Sequence, residues 1–241
     1  MASGDELAKM YSRSVHPLVM ETGSEDFPIG VLGTGFLAGY KGEVFFVTTR
    51  HSLRPHAPQP ILVWANETTP RSIRFESVTF IPIEQDAEDI SDVAVVSVDR
   101  QSFVDPETGQ AEIIWMRPDL QGWPERIGDL LVIGFPEATT TVQPDEIVAG
   151  RHLLAAQYVA PWSSEPLMHT GRFVPVPEVA LNGISGSPVF GVLRATDGAL
   201  SAGLCGMVLR AGGQDAKFHF VDRRALIHMF ERHIALAAGS S

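Results

Sequence analysis

Apolar residues come in short runs of Val, Ile, Leu and Phe, broken at close intervals by Gly and Pro. Runs of that length between turn formers predict β-strands. The pattern predicts strands over Gly35–Tyr40, Val44–Thr49, Ile61–Ala65, Ser72–Ile81, Val93–Val98, Leu130–Phe135, Val148–Ala156, Pro188–Leu193, Gly203–Leu209 and Phe218–Val221. Tyr40-Lys41-Gly42-Glu43 separates two apolar runs and predicts a hairpin turn. So many short strands in one chain point to sandwiches or barrels.

The period changes at the two ends. Asp5 to Ser14 predicts a short polar helix. Near the C-terminus Leu226, Ile227, Phe230 and Ile234 recur at helical spacing behind a capping residue, Asp222, and Gly239 closes the pattern. Between Asp99 and Arg126 the strand pattern lapses and Pro106, Pro118 and Pro124 appear. A connection that long is a linker or a functional loop, and it divides the chain into two comparable halves.

Composition narrows the function classes. The 241 residues carry 18 Lys and Arg against 29 Asp and Glu, a net charge of -11, which excludes a general nucleic-acid binder. The hydrophobic share of 44% fits a packed core. One cysteine, Cys205, allows no intrachain disulfide and predicts a buried small hydrophobe. The scattered histidines form no ligand motif, so no metal and no cofactor are expected. No apolar run approaches membrane-spanning length, no secretory pattern opens the chain, and a cytoplasmic protein without membrane partners is expected.

Three local patterns carry chemistry. Val47-Thr48-Thr49-Arg50-His51 puts a histidine at a strand exit. Ser91-Asp92-Val93-Ala94-Val95-Val96 opens a buried strand with a carboxylate. Asn182-Gly183-Ile184-Ser185-Gly186-Ser187-Pro188 is a Gly-rich turn entering a strand. A serine hydroxyl needs a base to take its proton as it attacks. Histidine titrates in the right range, and a carboxylate can fix its tautomer and stabilise the imidazolium. Glycines beside the serine let backbone N–H groups, those of Gly183 and Ser185, converge on an oxyanion. Taken alone, His51 reads as a surface histidine. Asp89 rivals Asp92, which is preferred because it directly precedes the apolar run. Ser187 rivals Ser185, but Pro188 pushes Ser187 towards extended backbone.

On these residues the chain resembles the trypsin-like, chymotrypsin-fold serine peptidases. Gly33-Thr34-Gly35-Phe36-Leu37 and Gly206-Met207-Val208 add to the likeness, which runs from about residue 30 to the C-terminal helix. The resemblance implies an all-β fold of two six-stranded antiparallel β-barrels with a C-terminal α-helix. It implies an extension over residues 1–24, a first barrel over 25–105 with His51 and Asp92, a connection over 106–124, and a second barrel with Ser185 and the helix over 125–241. It casts Ser185 as nucleophile, His51 as base and then acid, Asp92 as its orienting partner, and Gly183 and Ser185 as the oxyanion hole. Val179 would floor the first specificity pocket and favour apolar or small side chains; a shift by one residue would put Glu178 there and favour basic ones. Met207, Val208 and Leu209 would pair with extended substrate.

Departures from the family carry expectations of their own. Many animal members have an Asp immediately before the nucleophile, which pairs with a new N-terminus after cleavage. Ile184 stands there and cannot form an ion pair, so a site that forms without processing is expected. The expected activity is that of a serine endopeptidase that acts on a limited set of proteins or is regulated by a protein partner. The alternative is a catalytically silent module that binds peptide. An esterase of the α/β-hydrolase type requires the order Ser, Asp, His and more helices than this chain offers.

Overall fold

The computed structural model describes residues 11–21, 25, 29–53, 62–63, 71–72, 77–80, 92–104, 109–116, 128–143, 146–162, 165–194, 200–212 and 215–239. The helix expected over Asp5–Ser14 lies mostly outside them. The first half holds β1 (Val15–Glu21), β2 (Ile29–Tyr40), β3 (Glu43–Thr49), β4 (Leu62–Val63), β5 (Arg71–Ser72), β6 (Ser77–Phe80) and β7 (Val93–Ser97), with a one-turn helix α1 (Arg50–Leu53) after β3. These strands form one sheet in the order β5-β4-β1-β2-β3-β7-β6, and β8 (Ile114–Trp115) runs parallel beside β2.

A second closed barrel is not shown in this half. β5 and β6 stand at opposite ends of the strand order, and no ladder joins them among the described residues. Of the run expected over Ser72–Ile81, Ser72 lies in β5 and Ser77–Phe80 form β6, and the rest lies outside the described residues. The sequence pattern also passes over β1, where Pro17 interrupts the alternation.

The second half holds β9 (Asp129–Gly134), β10 (Thr140–Gln143), β11 (Glu146–Ala149), β12 (His152–Trp162), β13 (Glu165–Phe173), β14 (Pro188–Arg194), β15 (Leu200–Gly212) and β16 (Lys217–Asp222). Six of them close a barrel in the order β12-β13-β16-β15-β14-β9, while β10 and β11 form a separate hairpin. The chain ends in helix α2 (Arg223–Gly239).

Three apolar clusters follow from the pleat. Leu18, Leu37, Phe46, Val63, Val96 and Phe103 pack together within the first half. Leu130, Val132, Phe173, Val189, Val208, Phe218 and Phe220 pack together in the second. The alternate residues, among them Phe36, Phe45, Val47 and Val95, join Ile133, Phe190 and Met207 in one cluster that seals the halves together. Strands β3 and β7 are therefore buried on both faces, and their near-continuous apolar runs follow from that.

α2 clamps this seam. The Asp222 carboxylate accepts from the Arg224 N–H at 2.7 Å and the Ala225 N–H at 3.4 Å, capping the helix where the sequence placed the cap. Its buried face is Ala225, Leu226, Met229, Phe230 and His233. Phe230 stacks on Phe45 with ring centroids 4.8 Å apart, and Ser97 Oγ lies 2.6 Å from His233 Nε2.

Candidate active site

β3 ends in Thr48 and Thr49, both fully buried, and the chain turns into α1. His51 thus stands at the strand exit. The β3–β7 register pairs Thr49 with Val93, so the residue before Val93 arrives beside the residues after Thr49. That residue is Asp92. Its Oδ1 accepts the His51 main-chain N–H at 3.0 Å and its Oδ2 lies 2.7 Å from His51 Nδ1. The carboxylate must accept, so Nδ1 carries the proton and Nε2 of the neutral ring is left as a base. Asp92 is mostly covered, whereas the His51 side chain is 49% exposed. The rival Asp89 lies outside the described residues.

The loop before β14 is built around two glycines with positive φ, Gly183 at 90° and Gly186 at 89°. Neither tolerates a side chain: a Cβ on Gly183 would lie 2.6 Å from the Phe135 carbonyl oxygen, and one on Gly186 1.9 Å from that of Thr34. All four carbonyls from Asn182 to Ser185 are engaged. Asn182 accepts from Glu137 N–H at 2.7 Å, Gly183 from Thr34 Oγ1 at 2.8 Å, Ile184 from Ser187 N–H at 3.0 Å and Ser185 from Thr34 N–H at 2.8 Å. The N–H groups divide differently. Ile184 donates to Leu181 O at 3.3 Å and Gly186 to Val208 O at 2.8 Å, but those of Gly183 and Ser185 have no acceptor among the described residues. In a trans peptide the carbonyl and the next N–H point in opposite directions. Tying back Asn182 O and Ile184 O therefore turns the amides of Gly183 and Ser185 outward as a pair of unused donors.

β2 brings the two groups together. A Cβ on Gly33 would lie 2.5 Å from Ser52 Oγ and 3.2 Å from the Ser185 carbonyl oxygen, so the neighbour of His51 and the backbone of Ser185 share one glycine floor. Ser185 is half-buried, and its hydroxyl makes no hydrogen bond to His51 among the described residues. His51 Nε2 lies 3.5 Å from Thr49 Oγ1, too long for a strong bond.

Other expected residues are placed less centrally. Val179 is half-buried and Glu178 exposed, in the coil before the loop. Expected substrate pairing through Met207 and Val208 needs correction. Met207 is paired with Pro188 on one side and Val221 on the other, and Val208 spends both backbone groups on Gly186 and Ser187. Beyond Met207 the pairing with β14 stops, and β15 runs on from Leu209 to Gly212 with β16 as its one strand neighbour among the described residues. Ile184 is fully buried in the barrel core. Burial pushes the Cys205 thiol up to about 12, so it is inert. The described residues hold no cluster of side chains able to bind a metal, and no helix among them is long and apolar enough to cross a membrane.

Sequence reasoning missed the supports of this site. In sequence Thr34 reads only as part of a glycine-rich strand, and Glu137 acts through its main chain, which no side-chain motif reports. The signal that the sequence offers is a threonine between two glycines in an apolar strand.

A mostly β chain whose described residues hold a closed six-stranded barrel, a second β-sheet and a C-terminal helix has the chymotrypsin fold, and solved structures agree. A scabies mite inactivated protease paralogue matches with a TM-score of 0.61 at 14% identity, over 94% of this chain and 96% of that one. Human heparin binding protein matches with a TM-score of 0.60 at 11% identity, over 91% of each chain. No family model and no curated protein matches. At such identities the likeness shows the fold alone. The first neighbour's own description, that of an inactivated protease paralogue, makes clear that the fold does not guarantee catalysis.

Proposed function

We propose that the protein is a serine endopeptidase that cleaves through an acyl-enzyme. Ser185 attacks the scissile carbonyl while His51 Nε2 takes its proton and later returns it to the leaving amine. Asp92 holds the tautomer and stabilises the imidazolium, and the amides of Gly183 and Ser185 bind the oxyanion. The observation that carries this reading is the 2.7 Å contact from Asp92 to His51 Nδ1, which leaves Nε2 as the free base. Leu209 to Gly212 supply the edge along which extended substrate adds as a strand. With Val179 rather than Glu178 at the pocket floor, the residue before the scissile bond is apolar or small. The substrates are a limited set of proteins, with a protein partner governing access.

A fluorophosphonate probe tests the chemistry directly. Wild type is expected to label at Ser185, and S185A to remain folded, unlabelled and about 10⁶-fold lower in kcat. Peptide-library cleavage then checks the apolar preference.

The absence of a Ser185–His51 hydrogen bond favours a second reading, a silent peptide-binding module. Such bonds often tighten only when substrate binds. The module predicts peptide binding without labelling, whereas the peptidase predicts both.

A further inference from the structure

Every polar atom of Thr34 is committed, and three of its four bonds reach the other half of the molecule. Its N–H donates to Ser185 O at 2.8 Å, and its hydroxyl donates to Gly183 O at 2.8 Å. The same hydroxyl accepts the Phe135 N–H at 3.0 Å, and the Thr34 carbonyl accepts from Thr48 Oγ1 at 2.8 Å. The residue is fully buried. It therefore grips the 183–184 and 185–186 peptides, which alternate with the two peptides that carry the unused amides, from a strand that also lies under His51's neighbour Ser52.

We propose that the Thr34 hydroxyl is a positioning group of the oxyanion loop, holding the Gly183–Ile184 peptide that links the two oxyanion amides, a role that rests on the peptidase reading above. Gly183 has no side chain to restrain it, and at a φ of 90° the peptide that follows it is held from outside by this one hydroxyl. The side chain at position 184, next to the nucleophile, is an isoleucine pointing into the core, which offers no polar anchor. Thr34 supplies the anchor from the first half of the chain. Its β-branched side chain is stiff about χ1, so the hydroxyl is aimed before substrate arrives. Assembly of the two halves and assembly of the oxyanion site are thereby the same event.

Threonine-to-valine replacement keeps the shape and removes the hydroxyl; serine keeps the hydroxyl. In wild type, fluorophosphonate labelling of Ser185 comes first, and its failure sinks the peptidase reading rather than this one. With labelling established, kinetics per titrated site are compared in molecules whose near-UV circular dichroism is native. T34V is expected to lose about 10²-fold in kcat, the scale of a mis-set oxyanion donor, with KM within about twofold. Affinity for a peptide boronate, which mimics the tetrahedral state, falls in parallel. T34S stays within about threefold of wild type. If T34V does not fold, T34A carries the same expectation at about tenfold, since water can reach the vacated spot; if neither folds, T34S must still bind boronate within threefold of wild type. The inference is overturned if T34V or T34A keeps kcat within threefold, if KM rises in place of a fall in kcat, or if T34S loses as much as they do.

Discussion

Asp92 grips His51 at two points, the main-chain N–H at 3.0 Å and Nδ1 at 2.7 Å. Two bonds from one carboxylate fix both where the residue sits and which nitrogen bears the proton. Replacing the carboxylate by an amide keeps the size but allows an N–H to face Nδ1, which favours the wrong tautomer. D92N is expected to lower kcat by about 10⁴-fold while the melting temperature changes little, as steady-state kinetics and calorimetry would show. A loss below tenfold would mean that His51 is not the base.

The serine two residues on from the proposed nucleophile separates chemistry from packing. Ser187 is fully buried, and its hydroxyl has no hydrogen-bond partner among the described residues. A buried, unsatisfied hydroxyl costs about 1–3 kcal/mol. S187A is therefore expected to raise the melting temperature by about 2–12 °C and to keep fluorophosphonate labelling, the converse of S185A. Labelling that survives in S185A and vanishes in S187A would transfer the nucleophile's role.

The outline of the site was legible because each element left a local trace. His51 ends an apolar strand, Asp92 opens one, and Ser185 lies between glycines that enter a third. What brings them together was not legible. The Thr49–Val93 pairing is a register across a sheet, and Thr34's hold on Gly183 spans 149 residues. The fold was readable to the same depth. Strands buried on one or both faces announced themselves as apolar runs, while β13, with Pro166 and polar residues along it, did not. Closure of a barrel depends on edge pairing, which carries no sequence period, and the described strands of the first half show no ladder that closes them. Where β14 stops beside β15 was not legible for a similar reason, since only the observed ladder shows that their pairing ends at Met207.

Two buried groups make the protein acid-sensitive in separate ranges. Burial against Phe45 and Ser97 lowers the His233 imidazole, and the nearby charge of Glu43 raises it by less. Its folded value lies below the unfolded one of about 6.5, so the stability it contributes is full above that pH and is lost as pH falls through the folded value. For Asp222, burial pushes the carboxyl up, but hydrogen bonds from His169 and Arg224 and the guanidinium charge outweigh it and hold it below the usual value. Its contribution is present above about pH 3.9 and disappears in stronger acid. Melting temperatures from pH 8 to 5 are expected to fall, and less steeply in H233Q. Scans continued below pH 4 should show a second decline that D222N lacks, from a lower starting stability because the helix cap is weakened. Equal slopes for H233Q and wild type would remove His233 from the account.

Two glycines with nearly the same backbone angle test whether space or conformation governs the loop. Gly42 has a φ of 90° in the β2–β3 turn, and a Cβ there would meet nothing within 4 Å. Gly186 has a φ of 89°, but its Cβ would strike the Thr34 carbonyl oxygen at 1.9 Å and approach Thr48 Oγ1 at 2.9 Å. G42A thus incurs only the left-handed penalty of roughly 1–2 kcal/mol and should melt a few degrees lower with full activity. G186A adds a collision with main chain in the strand that supports both His51's turn and the Ser185 carbonyl. The loop and β2 must separate, and the separation breaks the bonds that hold the unused amides in place. Per folded molecule, labelling of G186A should slow by at least 10²-fold, against no change for G42A. If both variants label alike, the seam between the halves yields more readily than its contacts imply, and the site does not depend on their fit.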